Sequence, residues 1–124
     1  MAPVSLAIAI EAGGDTQALM ILRTDKVCRL AQQFVQPVVY VDYLATAPWN
    51  QSPLMQTPRY RQCGSEMLTA AVEYSRQLGF GGRIGLHSLK NAESFYRDRM
   101  QMTDLGVDST YYGLRYFELV GTTF

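Results

Sequence analysis

The spacing between apolar residues changes along this chain, and that change limits the kinds of fold it can form. Over Leu6–Ile10, large apolar residues alternate with alanines, and a period of two predicts a β-strand. Ala12–Asp15 is a glycine-rich turn signal, and the apolar stretch Gln17–Arg23 after it predicts a second strand. Two strands joined by a short turn predict an antiparallel hairpin.

The chain continues with one more strand and then changes to a helical period. Val38–Ala47 is rich in valine and tyrosine and lies between two prolines, so it predicts a third strand. Apolar residues recur at three- and four-residue spacing over Ser65–Leu78, which predicts an amphipathic helix. We expect Ser65 to cap the start of this helix and Gly79 to end it.

Strand and helix alternate in the rest of the chain. Gly82–His87 predicts a strand, Asn91–Met100 a helix and Tyr111–Val120 a final strand. The predicted order is β-β-β-α-β-α-β, which joins a hairpin to βαβ crossovers. The sequence therefore predicts an α/β or α+β fold with a mixed sheet.

Composition excludes several functional classes. The chain has 124 residues, which fits one domain, and 48% of them are hydrophobic, which excludes a disordered chain. The formal net charge of zero argues against a nucleic-acid or membrane-surface binder. Cys28 and Cys63 are too few for a disulfide scaffold, and no cysteine–histidine spacing predicts a metal site. Since neither a membrane span nor a secretory signal is recognisable, we expect a soluble cytoplasmic protein.

The loop before the first helix has the composition of an anion site. Arg59 and Arg61 carry planar groups that suit phosphate oxygens, and Gly64 lets the backbone approach an anion closely. The start of a helix adds unpaired N–H groups and a partial positive charge. The alternative is an ordinary strand–loop–helix connection with surface arginines.

This loop resembles the acyl-CoA-binding signature of the GNAT acetyltransferase superfamily. In that family, Arg-x-x-Gly-x-Gly/Ala follows a strand and begins a helix. Arg59, Gln62 and Gly64 fall on this spacing, with Gln62 in place of the first glycine. The resemblance covers about Val38–Val120.

A second motif of the same family follows in the expected order. Ala92-x-x-Phe95-Tyr96 resembles the family's Ala-x-x-Phe-Tyr helix. Leu89 replaces the family's upstream asparagine, and Ser88 and Asn91 are the polar side chains nearby. Two linked motifs are more specific than either alone.

The resemblance implies a single GNAT-like acyl-CoA-binding domain over residues 1–124, with a mixed, mostly antiparallel sheet flanked by helices. The pantetheine of acetyl-CoA is then expected in a gap where the third strand splays from the next, with its pyrophosphate on the loop at the helix start. The family's first strand and the helices after it are expected to be absent. The residues implied for binding acetyl-CoA are Ala45, Thr46, Ala47, Arg59, Arg61, Gln62, Cys63, Gly64, Ser65 and Asn91.

The resemblance also implies an N-acetyltransferase, in which a primary amine attacks the thioester of acetyl-CoA directly. Tyr96 matches the family's general acid, and a core aromatic is the alternative. Asp42 and His87 are the candidate bases, with a salt bridge and a structural histidine as their alternatives. The competing function is a catalytically inactive acyl-CoA-binding or regulatory module, which Gln62, Leu89 and the expected short N-terminus favour. A structural subunit without a ligand is a third interpretation.

Absent helices would leave apolar surface exposed, so we expect a homodimer. Tyr111, Tyr112 and Tyr116 are expected to line either an acceptor pocket or a dimer surface. Trp49 is expected either to shape the acceptor entrance or to pack in the interior. The sequence does not identify the acceptor amine.

Overall fold

The strands form the framework that positions every candidate residue. The structure is a computed structural model that describes residues 4–46 and 63–121, without the side chains of residues 12, 46 and 63. Within these ranges six strands form one sheet in the order β1-β2-β3-β4-β6-β5. The strands are β1 Ser5–Ala12, β2 Asp15–Val27, β3 Pro37–Thr46, β4 Ile84–Ser88, β5 Thr103–Asp108 and β6 Leu114–Leu119.

The pairing of these strands confirms a mixed, mostly antiparallel sheet. β1 with β2, β2 with β3, β4 with β6, and β5 with β6 are all antiparallel pairs. Only β3 and β4 are parallel, and the helix α1, Cys63–Gln77, lies between them in the chain. A parallel pair needs such a crossover because its second strand must start again at the same end of the sheet. The α+β fold class expected from the sequence is therefore present.

The end of α1 is where the sequence predicted it, but its start is not. Gly79 has φ +81°, its N–H bonds the Arg76 carbonyl at 3.0 Å, and the Phe80 N–H bonds the Ser75 carbonyl at 2.8 Å. This pair of bonds is a Schellman motif, in which glycine accepts the left-handed conformation without strain. Ser65 was expected as the N-cap, but the helix already begins at Cys63 and Ser65 lies in its first turn.

The chain after β4 departs from the predicted elements. The helix expected over Asn91–Met100 is an irregular helical segment, with a 3₁₀ turn at Lys90–Ala92 and a π turn at Phe95–Arg99. The single strand expected over Tyr111–Val120 is β6 alone, which starts at Leu114 after a turn. The strand β5 was not predicted from the sequence.

β5 was missed because its composition is typical of a turn. Its sequence is TDLGVD, with two acidic residues and a glycine in six positions. Tertiary contacts hold it as a strand: Asp104 accepts bonds from Arg97 at 3.0 Å and from Arg115 at 3.1 Å. Such pairing across elements outweighs the local preference of these residues.

The core lies on one face of the sheet, under α1 and the helical segment 90–99. Residues alternate between the two faces along a strand, so Val39 and Val41 face this core while Tyr40 faces the other side. The buried residues of the core include Met20, Leu22, Val39, Val41, Met67, Leu68, Ala71, Ile84, Leu86, Tyr96 and Phe117. Among the described residues, no helix has the length and apolar character needed to span a bilayer.

Candidate functional site

The parallel strands β3 and β4 separate partway along their length. They pair only where Val39–Val41 meets Ile84–Leu86, although β3 continues to Thr46. On its other edge β3 stays paired with β2, but Ile21 is opposite Tyr43 and Leu22 is opposite Val41. Asp42 between them is therefore the extra residue of a β-bulge. A bulge bends its strand, so this one accounts for the point at which β3 turns away from β4.

A cavity of about 380 Å³ lies in this gap. Leu86 and Tyr96 reach it from the core face, whereas Tyr40 and His87 belong to the opposite face. The cavity is thus bordered by both faces of the sheet. Its lining residues are Tyr40, Val41, Asp42, Tyr43, Leu44, Leu86, His87, Ser88, Leu89, Ala92, Tyr96, Tyr111, Tyr112 and Leu114.

Tyr96 is the buried acid candidate on the core side of this cavity. The irregular segment 90–99 holds it against the rings of Phe95 and Phe117, with centroid distances of 5.3 and 5.9 Å. Only 9% of the residue is exposed. Burial alone raises the pKa of Tyr96 to about 12. The phenol therefore stays protonated at neutral pH and has a proton to donate.

His87 lies on the opposite side of the cavity, and both of its ring nitrogens are hydrogen-bonded. The Tyr40 hydroxyl lies 2.7 Å from Nδ1, and an Asp108 carboxylate oxygen lies 2.9 Å from Nε2. A carboxylate only accepts, so Nε2 carries the proton and Nδ1 accepts from Tyr40 in the neutral ring. The side chain is 2% exposed, and burial is the main cause that lowers the pKa of His87. Its ring stacks on Tyr111 at a centroid distance of 4.1 Å.

Asp108 holds the Nε2 side of the His87 ring. Its carboxylate accepts bonds from the Thr110 hydroxyl at 2.6 Å and from Arg29 at 2.7 Å, besides His87. These bonds to Thr110, Arg29 and His87 hold the pKa of Asp108 far below its usual range. Asp108 is therefore ionised at any pH near neutrality and keeps His87 in one tautomer.

Asp42 is the other base candidate, and the sequence left both catalysis and a salt bridge open as its role. The structure shows Asp42 exposed at the bulge, where water can solvate it. It lines the cavity, so it remains a candidate base. Ala45, further along β3, is half-buried opposite Leu19.

Part of the expected acetyl-CoA site lies outside the described residues. These positions are Ala47, expected beside pantetheine, and Arg59, Arg61 and Gln62, expected at the phosphates. Trp49, expected at the acceptor entrance or in the interior, also lies outside them. Cys63, Gly64 and Ser65 form the first turn of α1, where helix N–H groups lack intrahelical partners. A Cβ added at Gly64 would make an ordinary 3.4 Å contact with the Phe95 ring, so the helix start lies beside the segment that carries Tyr96. Asn91 is exposed on its 3₁₀ turn.

Two of the three C-terminal tyrosines line the same cavity. Tyr111 and Tyr112 do so from the turn before β6. Tyr116 instead lines a separate cavity of about 240 Å³ on the opposite face, which also borders Tyr40 and His87.

Tyr40 and Asp108 were not among the residues predicted for the site. The alternation of Val39, Tyr40 and Val41 does place Tyr40 opposite the core, and this signal could have drawn attention to it. Asp108 ends the strand that was not predicted, so no sequence signal connected it to His87.

The chain is similar to known acetyltransferase structures at low sequence identity. No protein-family model and no curated protein matches the sequence. A structure described as histone acetyltransferase HPA2 and related acetyltransferase, from Corynebacterium glutamicum, has a TM-score of 0.62 and 13% identity. It matches 97% of this chain and 66% of its own. An acetyltransferase from Bacillus cereus has a TM-score of 0.61 at 13% identity, over 93% of this chain and 71% of its own.

A third similar structure was solved with an acyl donor. It is a mutant of the toxin AtaT bound to the C-terminus of the antitoxin AtaR and acetyl-CoA. Its TM-score is 0.51 at 14% identity, over 83% of this chain and 59% of its own. At such identities the likeness establishes the fold.

Proposed function

The chain has the GNAT fold, and we propose that it transfers an acetyl group from acetyl-CoA to a primary amine by direct attack. The observation that carries this proposal is the cavity between β3 and β4, bordered by Tyr96 on the core face and by Tyr40 on the other. Two substrates can meet in such a gap from opposite sides of the sheet. Holding two substrates close together in the right orientation accounts for a large part of the rate acceleration of a two-substrate reaction.

We place the acetyl-CoA along the edge of β3 and at the start of α1. Beyond Val41, the β3 edge that faces β4 pairs with no described strand, so its backbone groups are available to pantetheine amides. The first turn of α1, Cys63–Ser65, offers N–H groups to the phosphates. Thr46 at the end of β3 and Asn91 belong to the proposed set. Ala47, Arg59, Arg61 and Gln62, which lie outside the described residues, complete it.

The reaction needs an acid and a base. The amine nitrogen attacks the thioester carbonyl carbon, a C–N bond forms and the C–S bond breaks. Tyr96 gives its hydroxyl proton to the leaving sulfur, because burial keeps this phenol protonated. The candidates for the base that removes the amine proton are Asp42, His87 and Tyr40, which line the same cavity.

The test compares Tyr96→Phe with the wild type. Release of the coenzyme A thiol is followed with ethylamine, glycinamide and hydroxylamine as probe amines, and the dissociation constant of acetyl-CoA is measured by calorimetry. We expect Tyr96→Phe to lower kcat by about 100-fold while acetyl-CoA affinity stays unchanged. Tyr74→Phe, which removes a hydroxyl on α1 outside the cavity, is the matched control.

The competing function gives a different pattern. A catalytically inactive acyl-CoA-binding or regulatory module binds acetyl-CoA but releases no thiol with any probe amine, in the wild type or in the variants. A wild type that neither binds acetyl-CoA nor releases thiol would contradict both functions.

We also propose a second copy of the chain as partner. On the face opposite the core, Leu19 is 37% exposed and Tyr43 is 50% exposed, with Ile21 beside them on the sheet. Apolar side chains grouped on one open face favour association. Light scattering of the chain at high concentration tests this, and a strict monomer would contradict it. Because acetyl-CoA is the proposed donor, the cytoplasm is the compartment that we expect.

A further inference from the structure

We propose that Tyr40, His87 and Asp108 form a proton relay in which the Tyr40 hydroxyl takes the proton of the acceptor amine. The proposal rests on the proposed acetyl transfer and assigns its base. It makes Tyr40 the catalytic residue, because its hydroxyl contacts the amine, and makes His87 and Asp108 positioning residues that act through it.

Three elements bring the relay together. Tyr40 is on β3, His87 on β4 and Asp108 at the end of β5. The two links are short, at 2.7 Å from Tyr40 to His87 and 2.9 Å from His87 to Asp108. Tyr40 and His87 both line the cavity between the strands, so the chain of hydrogen bonds begins at the proposed reaction site.

Neither Tyr40 nor His87 can act as a base alone. Burial and the neighbouring Tyr111 hydroxyl raise the pKa of Tyr40, so its hydroxyl is protonated. The Tyr40 oxygen can therefore take the amine proton only if it releases the proton that it already carries. His87 has no free nitrogen, since Tyr40 occupies Nδ1 and Asp108 occupies Nε2. Transfer through Tyr40 into Nδ1 satisfies both restrictions.

The step balances in protons and electron pairs. As the amine nitrogen forms its bond to the carbonyl carbon, its proton moves to the Tyr40 oxygen. The original Tyr40 proton moves at the same time to His87 Nδ1. The imidazolium that forms is stabilised by the ionised Asp108 through Nε2–H. After the product leaves, this proton returns through Tyr40 to solvent in the cavity, and Tyr96, which gave its proton to the leaving sulfur, takes one back from the same solvent.

The charges around His87 set the pH at which the relay works. Asp108 favours the imidazolium, whereas Arg29 and Lys26 disfavour it. The aromatic hydroxyls around the ring belong to Tyr40, Tyr111 and Tyr116. The net effect of burial and these charges lowers the pKa of His87, so the neutral, proton-accepting ring predominates at neutral pH. We expect activity to persist at pH 6.5, the ordinary histidine value, and to fall only at a lower pH, where the ring becomes protonated.

The test is Tyr40→Phe, assayed by thiol release with the same three probe amines. We expect kcat to fall by about 100-fold with KM and acetyl-CoA affinity unchanged. We also expect the loss of activity at acid pH to disappear in this variant, because His87 no longer carries the proton. A purely structural role for Tyr40 would lower the unfolding temperature but leave the shape of the pH profile unchanged. Tyr74→Phe is again the matched control.

A second measurement needs no variant. The chain has one histidine, so its imidazole gives a single set of NMR signals. Nitrogen chemical shifts are expected to show the tautomer protonated at Nε2 at neutral pH. The opposite tautomer would overturn the relay even if Tyr40→Phe failed to fold.

The outcomes separate the two proposals. Thiol release by the wild type that Tyr40→Phe leaves unchanged in rate and in pH profile overturns the relay alone. A wild type that releases no thiol with ethylamine, glycinamide or hydroxylamine overturns the proposed acetyl transfer, and the relay with it.

Discussion

Gly85 has no side chain, and this leaves room for Tyr116 on the face of the sheet opposite the core. Tyr116 lies across it, and a Cβ added at Gly85 would contact the Tyr116 hydroxyl and lie 3.2 Å from the ring carbon Cζ. That hydroxyl donates a 2.7 Å bond to the buried Glu118. The glycine is therefore needed for Tyr116 to reach its partner.

We expect Gly85→Ala to lower the free energy of unfolding by about 1–3 kcal/mol, because Tyr116 must move out of a packed position. Urea titration measures this. Gly64→Ala is the control, since a Cβ there meets Phe95 at an ordinary 3.4 Å and alanine suits a helix. Equal unfolding free energies for wild type and Gly85→Ala would contradict the explanation.

Motifs in the sequence predicted which residues belong to the site, but their hydrogen bonds and burial could be learned only from the structure. Tyr96 could be found because it lies in a recognisable pattern, and it lies on the cavity wall. His87 was identified as a candidate, but its hydrogen bonds to Tyr40 and Asp108 depend on strands distant in sequence. Asp42 owes its exposure to a bulge, and no local pattern predicts that conformation.

At the scale of elements, one buried carboxylate attaches the segment after β2 to the sheet. Glu118 on β6 is fully buried and accepts bonds from the Arg29 and Leu30 N–H groups and from the Gln33 side chain, at 2.7, 2.9 and 3.0 Å. Tyr116 supplies a fourth bond. These four donors together satisfy both oxygens of the buried carboxylate, as buried polar groups require.

We expect Glu118→Ala to lower the free energy of unfolding by about 3 kcal/mol or more, since several buried donors lose their acceptor. Glu118→Gln keeps one acceptor oxygen, so we expect it to lower the free energy of unfolding by less than Glu118→Ala does. Chemical denaturation of both variants measures the difference. The account fails if the alanine variant is as stable as the wild type.

The elements with strong local signals were predicted well. The hairpin β1–β2, the strand β3 and the helix α1 each have a clear period and clear end signals, and all are present close to their expected positions. The region 90–108 was predicted poorly. Its helix is interrupted by 3₁₀ and π turns, and β5 depends on Arg97 and Arg115, which lie outside that strand.

At the scale of the whole molecule, His87 links stability to pH. Its pKa in the folded chain is lowered, mainly by burial, while the unfolded chain keeps a value of about 6.5. Between these two values the unfolded state binds more protons, so stability falls as the pH drops below about 6.5. The carboxylate shifts, such as that of Asp108, matter only at much lower pH.

We therefore expect the unfolding temperature to decrease between pH 7.5 and pH 5.5, with His87→Gln reducing this dependence. Calorimetry of both proteins in the same buffers measures it. A wild type whose stability rises over this interval on acidification would show that the histidine is charged in the folded state.

The central claim is that acetyl-CoA binds in the cavity between β3 and β4, and thermal unfolding with ligands tests it most directly. Acetyl-CoA at about a hundred times its dissociation constant is expected to stabilise the wild type by about 2.7 kcal/mol, with no comparable effect of ATP. Ala92→Trp, which fills the cavity wall, is expected to lose this stabilisation relative to its own baseline. Equal effects of acetyl-CoA and ATP, or an undiminished effect in Ala92→Trp, would contradict the assignment of this cavity.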